Sequence, residues 1–231
     1  MVDFIKLHSK PLEYYIDLLR NDIKFSLTRW GDGEWNCAMG VTGRNCDKHE
    51  YFPAMSTQLV AALIHDKGYF KSTWPLSEEM IGNNIKKIRR FCEGIGINLI
   101  GWEDASVIEN SATNGDIIRM VDQLEKMNFV IVSEPRKRKL PIKYTDFIEV
   151  SPTNCYLEKD RIREDIIDMV NYGYNDIVFG FSASMATNVI IDELYPIVGK
   201  DCWMIDFGSI WDPFIGITSR SYHRNYVKNT L

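Results

Sequence analysis

Four stretches in the second half of the chain read as strands: Phe129-Val-Ile-Val-Ser133, Phe147-Ile-Glu-Val150, Asp176-Ile-Val-Phe-Gly180 and Trp203-Met-Ile-Asp206. Short apolar, β-branched runs without alternation are the pattern of strands buried on both faces of a parallel sheet. Between them the apolar spacing becomes helical, over Glu158 to Tyr172 and Ala183 to Leu194. Strand alternating with helix implies βαβ crossovers. The expected fold is therefore α/β, a Rossmann-like, mostly parallel sheet flanked by helices.

The first half is patterned less regularly. Leu12, Tyr15, Ile16, Leu18 and Leu19 fall near one face of a helix predicted from Pro11 to Asp22, and Phe25 to Arg29 reads as a short strand. After Glu34, the positions of Trp35, Cys37 and Met39 predict a helical turn docked on the core. Gly40 to Phe52 is a polar loop, long enough to cover a site as a lid or to serve as a plain connector. A helix follows from Ala54 to Asp66, then an extended aromatic segment from Gly68 to Pro75. Ser77-Glu-Glu supplies a cap and first-turn acids for a helix to about Cys92, ended by Gly94 and Gly96. Ser106 to Glu109 is read as a short strand leading into polar Asn110 to Gly115, and Asp116 to Met127 as a helix. No repeat, low-complexity tract or linker interrupts residues 1–231, so one domain is expected, with room for the more helical first half to form a cap over a Rossmann-like core.

Composition narrows the classes. A chain of 231 residues with 45% hydrophobic and 26% charged positions is ordinary for a globular α/β domain. The formal net charge of −5 argues against a broad nucleic-acid or anionic-membrane surface. No apolar run reaches the ~18 residues that span a bilayer. The N-terminus lacks the basic-then-apolar layout of a signal peptide. Five scattered cysteines without a Cys-x-x-Cys pair read as reduced thiols of a cytoplasmic protein, Cys202 being a core candidate, and the four histidines show no ligand spacing.

The candidate chemistry centres on Phe25-Ser-Leu-Thr-Arg-Trp-Gly-Asp-Gly-Glu-Trp35. A strand delivers Arg29 to a bend that Gly31 and Gly33 permit. Asp32 and Glu34, two residues apart on that pliable backbone, can converge on one hard cation such as Mn²⁺ or Mg²⁺. Such a cation would hold phosphate oxygens, with Arg29 adding a bidentate contact. The plain alternative is that Asp-Gly makes a common turn and Glu34 opens a helix.

Other candidates fall at strand ends, where ligands sit in open parallel sheets. Glu134-Pro-Arg-Lys-Arg-Lys139 follows one strand, and its four adjacent cations, Arg136 and Arg138 first among them, could receive phosphate or form a solvated charged face. Ser182 and Ser184 lie between strand and helix, placed to bind a diphosphate or ribose or simply to cap the helix. Asp206 and Asp212 follow the last strand, where an acid can accept a proton from an acceptor hydroxyl or hold sugar hydroxyls; Asp206 can equally cap its own turn. Basic, aromatic Arg220 to Tyr226 reads as a strap over the site or a loose terminus.

Arg29-Trp-Gly-Asp-Gly-Glu34 resembles the Arg-aromatic-Gly-Asp-Gly-Glu signature of the GT-D glycosyltransferases. The likeness continues in order through Ser133-Glu-Pro-Arg136, through Ser151-Pro-Thr-Asn-Cys155, through the small-residue loop at Ser182 to Thr187, and through Asp206-Phe-Gly-Ser-Ile-Trp-Asp212. The family's Gly-Asn-Asp element is replaced here by Lys139-Leu-Pro-Ile142, and its Gly-Pro before the small-residue loop is absent. The resemblance implies a GT-D fold, a divalent metal on the Asp-x-Glu pair, a nucleotide-sugar donor of which a UDP-sugar is the natural first choice, and a hydroxyl acceptor, by default a glycan rather than a nucleic acid. The residues leave two rivals open. One is a metal-dependent phosphohydrolase or nucleotidyltransferase using the same carboxylates. The other is a non-catalytic nucleotide-binding module relying on the Ser182 loop without Asp32 and Glu34.

Overall fold

The computed structural model describes residues 4–75, 84–173, 176–220 and 223–224. Among them, eight strands form one parallel sheet: β1 (Ile5–His8), β2 (Ser26–Trp30), β3 (Phe70–Thr73), β4 (Leu99–Asp104), β5 (Asn128–Ser133), β6 (Asp146–Glu149), β7 (Ile177–Ser182) and β8 (Trp203–Asp206), in the order β1-β4-β3-β2-β8-β7-β5-β6. The helices are α1 (Leu12–Arg20), α2 (Asp32–Ala38), α3 (Pro53–Ile64), α4 (Asn84–Gly94), α5 (Ser106–Asn114), α6 (Ile117–Leu124), α7 (Lys159–Asn171) and α8 (Ala186–Val198). No helix among the described residues is long and apolar enough to cross a membrane.

The apolar runs are buried on both sides, for the reason their pattern suggests. In β5, Val130 and Val132 join one core and Phe129 and Ile131 the other, because successive side chains point to opposite faces. α2, α3, α4, α7 and α8 cover the first face, and α1, α5 and α6 the second. Where β7 crosses this double core, Gly180 lets the backbone approach an aromatic ring. A Cβ there would meet Phe129 at 2.6 Å and Phe207 at 3.2 Å, two rings already packed edge to face. Gly180→Ala is expected to destabilise the fold by ~1–3 kcal/mol through overpacking, read as a lower denaturant midpoint with an unchanged slope.

Three sequence expectations are corrected. The first half is not a cap: it supplies β1 to β4 of the same sheet. Ser106 to Glu109 is the first turn of α5, not a strand. Asp104 accepts from the Ser106 N–H at 2.9 Å and from its hydroxyl at 2.6 Å, which bends the chain into the helix. Ile108, Ser111 and Ala112 then bury one helical face. Third, α8 begins at Ala186, after a loop in which Ser184 takes a left-handed φ of +53°, so neither serine caps it. The helix start expected at Ser77 lies outside the described residues.

The first and last of the central strands meet at β2 and β8. From β2 the sheet extends through β3 and β4 to β1, and from β8 through β7 and β5 to β6. Such a junction is where a cleft opens beyond the strand ends.

Candidate functional site

A cavity of about 830 Å³ lies there, walled by the ends of β2, β3, β5, β7 and β8 and by the 40–52 loop. A groove of about 900 Å³ also follows β6 and α7, but it does not touch the β2–β8 junction. The cavity brings together Arg29, Gly31, Asp32, Gly33, Glu34, Glu134, Arg136, Ser182, Ser184, Asp206 and Asp212. Arg138 is not among its walls: the guanidinium pairs with Glu149 at 3.4 Å and lies over Phe147.

β2 ends at Trp30, and Gly31 turns the chain into α2, so Asp32 is the first and Glu34 the third helical residue. Acids in a first turn are favoured by the helix dipole. Glu34 Oε2 accepts from the Gly31 N–H at 2.9 Å, the return half of a capping box. The helix-opening role weighed for Glu34 is therefore present. A side chain at Gly31 would crowd this cap, its Cβ 3.2 Å from that oxygen and 3.3 Å from the Trp74 ring. Trp35 stacks on Trp102 and packs against Trp30, holding α2 on the sheet. Asp32 is exposed.

Burial, with the charges of Asp206 and Asp32 beside it, pushes the Glu34 carboxyl up to about 7, against backbone N–H groups that pull it down. Burial also pushes Asp206 up to about 6, against Arg29 and the N–H groups of Gly208 and Arg29. Groups raised in this way bind a proton more tightly in the folded chain, so stability falls as pH rises from the usual carboxylate range toward these values. Perturbed carboxyls crowded in a cleft are a mark of functional sites.

Arg29 is buried and held. Its Nη1 donates to the Phe207 carbonyl at 2.9 Å, and its guanidinium lies 4.8 Å from the Trp74 ring centre. Gly208, at φ +56°, leaves it room: a Cβ would lie 2.8 Å from Nη2. Arg29 Nε and Ser182 Oγ are buried without a hydrogen-bond partner, two orphaned polar atoms on the cavity wall that a polar ligand would satisfy.

On the β5 side, Glu134 caps a 3-10 turn by accepting from the Arg136 N–H at 2.9 Å, and its carboxylate also takes the Arg136 guanidinium. Burial works to raise this carboxyl, but Arg136 and Lys137 hold it below its usual value. Lys137, buried, forms an ion pair with Asp212, whose other oxygen accepts from Ser219. The polar loop and the C-terminal segment meet over the cavity. Asp47 pairs with Arg220 at 2.8 Å, and Asn45 accepts from the N–H groups of Asp47 and His49 while donating to Ser184 Oγ at 2.8 Å. Glu50 donates its N–H to Asn154 at 2.8 Å. The loop is thus docked along the cavity rim. Of the expected strap, Ser221, Tyr222 and residues 225–226 lie outside the described residues.

Sequence reasoning missed Trp74, Glu109, Asn45 and Asp47 as wall residues. Asn45-Cys-Asp47 carried a usable signal as an Asx turn. Lys137, one of the cations expected to receive phosphate, is instead paired with Asp212, and nothing local marked Glu109. Among the described residues no group of three or more His, Cys, Asp or Glu could hold a metal ion. A protein-built cage is therefore absent from them. The donors do suit a cation shared with a ligand: Asp32 and Glu34 supply hard oxygens, and the charges of Asp32 and Asp206 both bear on Glu34. Mg²⁺ in particular is held by one or two carboxylates plus substrate phosphates.

The sheet and its flanking helices have a glycosyltransferase-type fold by their likeness to solved structures. The chain is similar to two solved structures of the domain of unknown function 1792. One, selenomethionine-substituted, superposes with a TM-score of 0.60 at 12% identity, covering 89% of this chain and 79% of that one. The other, described as having a distinct glycosyltransferase fold, gives 0.57 at 13% identity over the same shares. At these identities the likeness is one of fold, and the fold that the resemblance to the GT-D glycosyltransferases implied is borne out. No family model matches the sequence, and no curated protein does.

Proposed function

We propose that this chain is a metal-dependent glycosyltransferase that moves a sugar from a nucleotide-diphosphate donor to a hydroxyl acceptor. The observation that carries the reading is the placement of Asp32 and Glu34 in one helical turn at the β2–β8 junction, in a cavity shared with Asp206 and Arg29. When bound, Mn²⁺ or Mg²⁺ would neutralise the charge that develops on the leaving diphosphate. Asp32 and Glu34 would hold it, leaving its other positions to phosphate oxygens. Ser182 Oγ, unpartnered on the wall, would donate to the donor. Arg136, exposed at the rim, would meet its phosphates. Arg29, already committed to Phe207 and Trp74, supports the reading through its fixed charge beside Asp206.

Thermal shift with UDP and UDP-glucose, with and without Mn²⁺, tests it. A stabilisation that requires both nucleotide and metal is expected, followed by UDP release that depends on an acceptor. Nucleotide binding indifferent to metal would favour the binding module, and phosphate release without sugar transfer the phosphohydrolase. The absence of a third protein ligand among the described residues weighs against a two-metal hydrolase. The acceptor is proposed to be a glycan, by the resemblance.

A further inference from the structure

Seven carboxylates line the cavity, and their partners sort them. Glu134 is taken by Arg136, Asp47 by Arg220, and Asp212 by Lys137 and Ser219. A carboxylate neutralised by a cation is a poor proton acceptor. Asp32 and Glu34 are committed by the reading above, and Asp206 stands with them, its charge felt by Glu34 and its oxygen accepting from Gly208 N–H at 2.9 Å.

Glu109 differs from all of these. It sits half-buried in the first turn of α5, beyond β4, and its carboxylate accepts one hydrogen bond among the described residues, from the neutral Trp74 indole N–H at 3.0 Å. Trp74 follows β3 and lies against the Arg29 guanidinium, so a rigid ring fixes one carboxylate oxygen. Topology puts Glu109 on one flank of the cavity, after β4, and Arg136 and Lys137 on the other, after β5, with Asp32, Glu34 and Asp206 between. A diphosphate drawn to the centre and the cationic flank would leave the Glu109 flank to the acceptor.

We infer that Glu109 is the base that activates the acceptor hydroxyl, and that Trp74 is the residue that positions it. The inference rests on the glycosyl-transfer reading and applies to a single displacement at the anomeric carbon. The acceptor O–H bond breaks, and its proton passes to the Glu109 carboxylate. The freed oxygen lone pair forms the bond to the anomeric carbon. The bond from that carbon to the diphosphate oxygen breaks, its electron pair leaving on the diphosphate. A base here suits the surroundings: burial raises the Glu109 carboxyl, against the Trp74 hydrogen bond and the charge of Arg29, the charged group that bears on it from β2. A more basic carboxylate removes a hydroxyl proton more effectively.

Glu109→Gln tests this, because the amide oxygen can keep the Trp74 hydrogen bond while the base is lost. Sugar transfer should fall ~100-fold or more in kcat, with the donor KM and the metal-dependent thermal shift within twofold of the wild-type chain. Trp74→Phe keeps the ring but removes the donor that lowers the carboxyl. The acid limb of its kcat profile should therefore move to higher pH, a change that a merely structural tryptophan would not produce. If Glu109→Gln turns over within threefold of wild type, or the Trp74→Phe limb stays in place, the assignment is overturned while glycosyl transfer stands. If the wild-type chain transfers no sugar from any nucleotide donor, both fall together.

Discussion

Asp32→Asn is expected to lower sugar transfer by ~100-fold or more and to abolish the manganese-dependent part of nucleotide binding, with the fold intact. A bound divalent ion contributes several kcal/mol of charge stabilisation, and each ~1.4 kcal/mol lost is a factor of ten in rate. The fold should tolerate the change because Asp32 is exposed and has no side-chain hydrogen bond among the described residues. Its one structural contribution is to the dipole of α2, worth ~0.3–1 kcal/mol. Activity and stability therefore separate at this position, as they would not at Glu34, which also closes the helix onto Gly31. The checks are acceptor-dependent UDP release and the melting temperature, each with and without Mn²⁺. A nucleotide-induced shift that ignores both the metal and the substitution would remove the glycosyltransferase reading and leave a binding module.

Lys137→Met is expected to cost ~3–5 kcal/mol of stability, the range for removing one partner of a buried ion pair. The lysine and the two carboxylates it serves are all nearly inaccessible, at 6% side-chain exposure for Lys137, 9% for Asp212 and 11% for Glu134. Without the ammonium, Asp212 keeps Ser219 and Glu134 keeps Arg136, but a negative charge is left in the wall without its counter-ion. Lys137→Met with Asp212→Leu should recover most of the loss, since an apolar pair of similar volume replaces a buried ion pair at little cost. Denaturant titration of the three variants measures the coupling directly. A single-variant loss below ~1 kcal/mol would mean that the pair behaves as a solvated surface contact.

Legibility varied with how local the deciding physics was. The runs at Phe129, Ile177 and Trp203 were readable because both faces of those strands are apolar, the pattern of a short strand inside a parallel sheet. β4 was not, although it lies inside the same sheet. Leu99-Ile-Gly-Trp-Glu-Asp104 carries Gly101 at φ +82° and buries Glu103 to 2% exposure. That burial is tolerable only because Lys10 and Tyr15, 93 and 88 residues away in sequence, supply its hydrogen bonds. β1, Ile5-Lys-Leu-His8, is an edge strand of four alternating residues whose partner is β4, so missing one concealed the other. The error at Ser106 to Glu109 has a different origin. Two apolar residues in a row carry no periodicity, and the aspartate that starts the helix stood just outside the window read as a strand.

The site divides in the same way. The sequence alone determined the parallel α/β class, the position of Asp32 and Glu34 at a glycine turn after a strand, and the acids and hydroxyls at other strand ends, because hydrophobic period and turn chemistry are properties of neighbouring residues. Only the tertiary structure decided which of those groups share a cavity, that Arg138 faces Glu149 and Phe147 instead, that Lys137 pairs with Asp212, and that Trp74 donates its N–H to Glu109, the one hydrogen bond that carboxylate accepts among the described residues. Those outcomes depend on the strand order, which sets which chain segments, far apart in sequence, end side by side at one edge of the sheet.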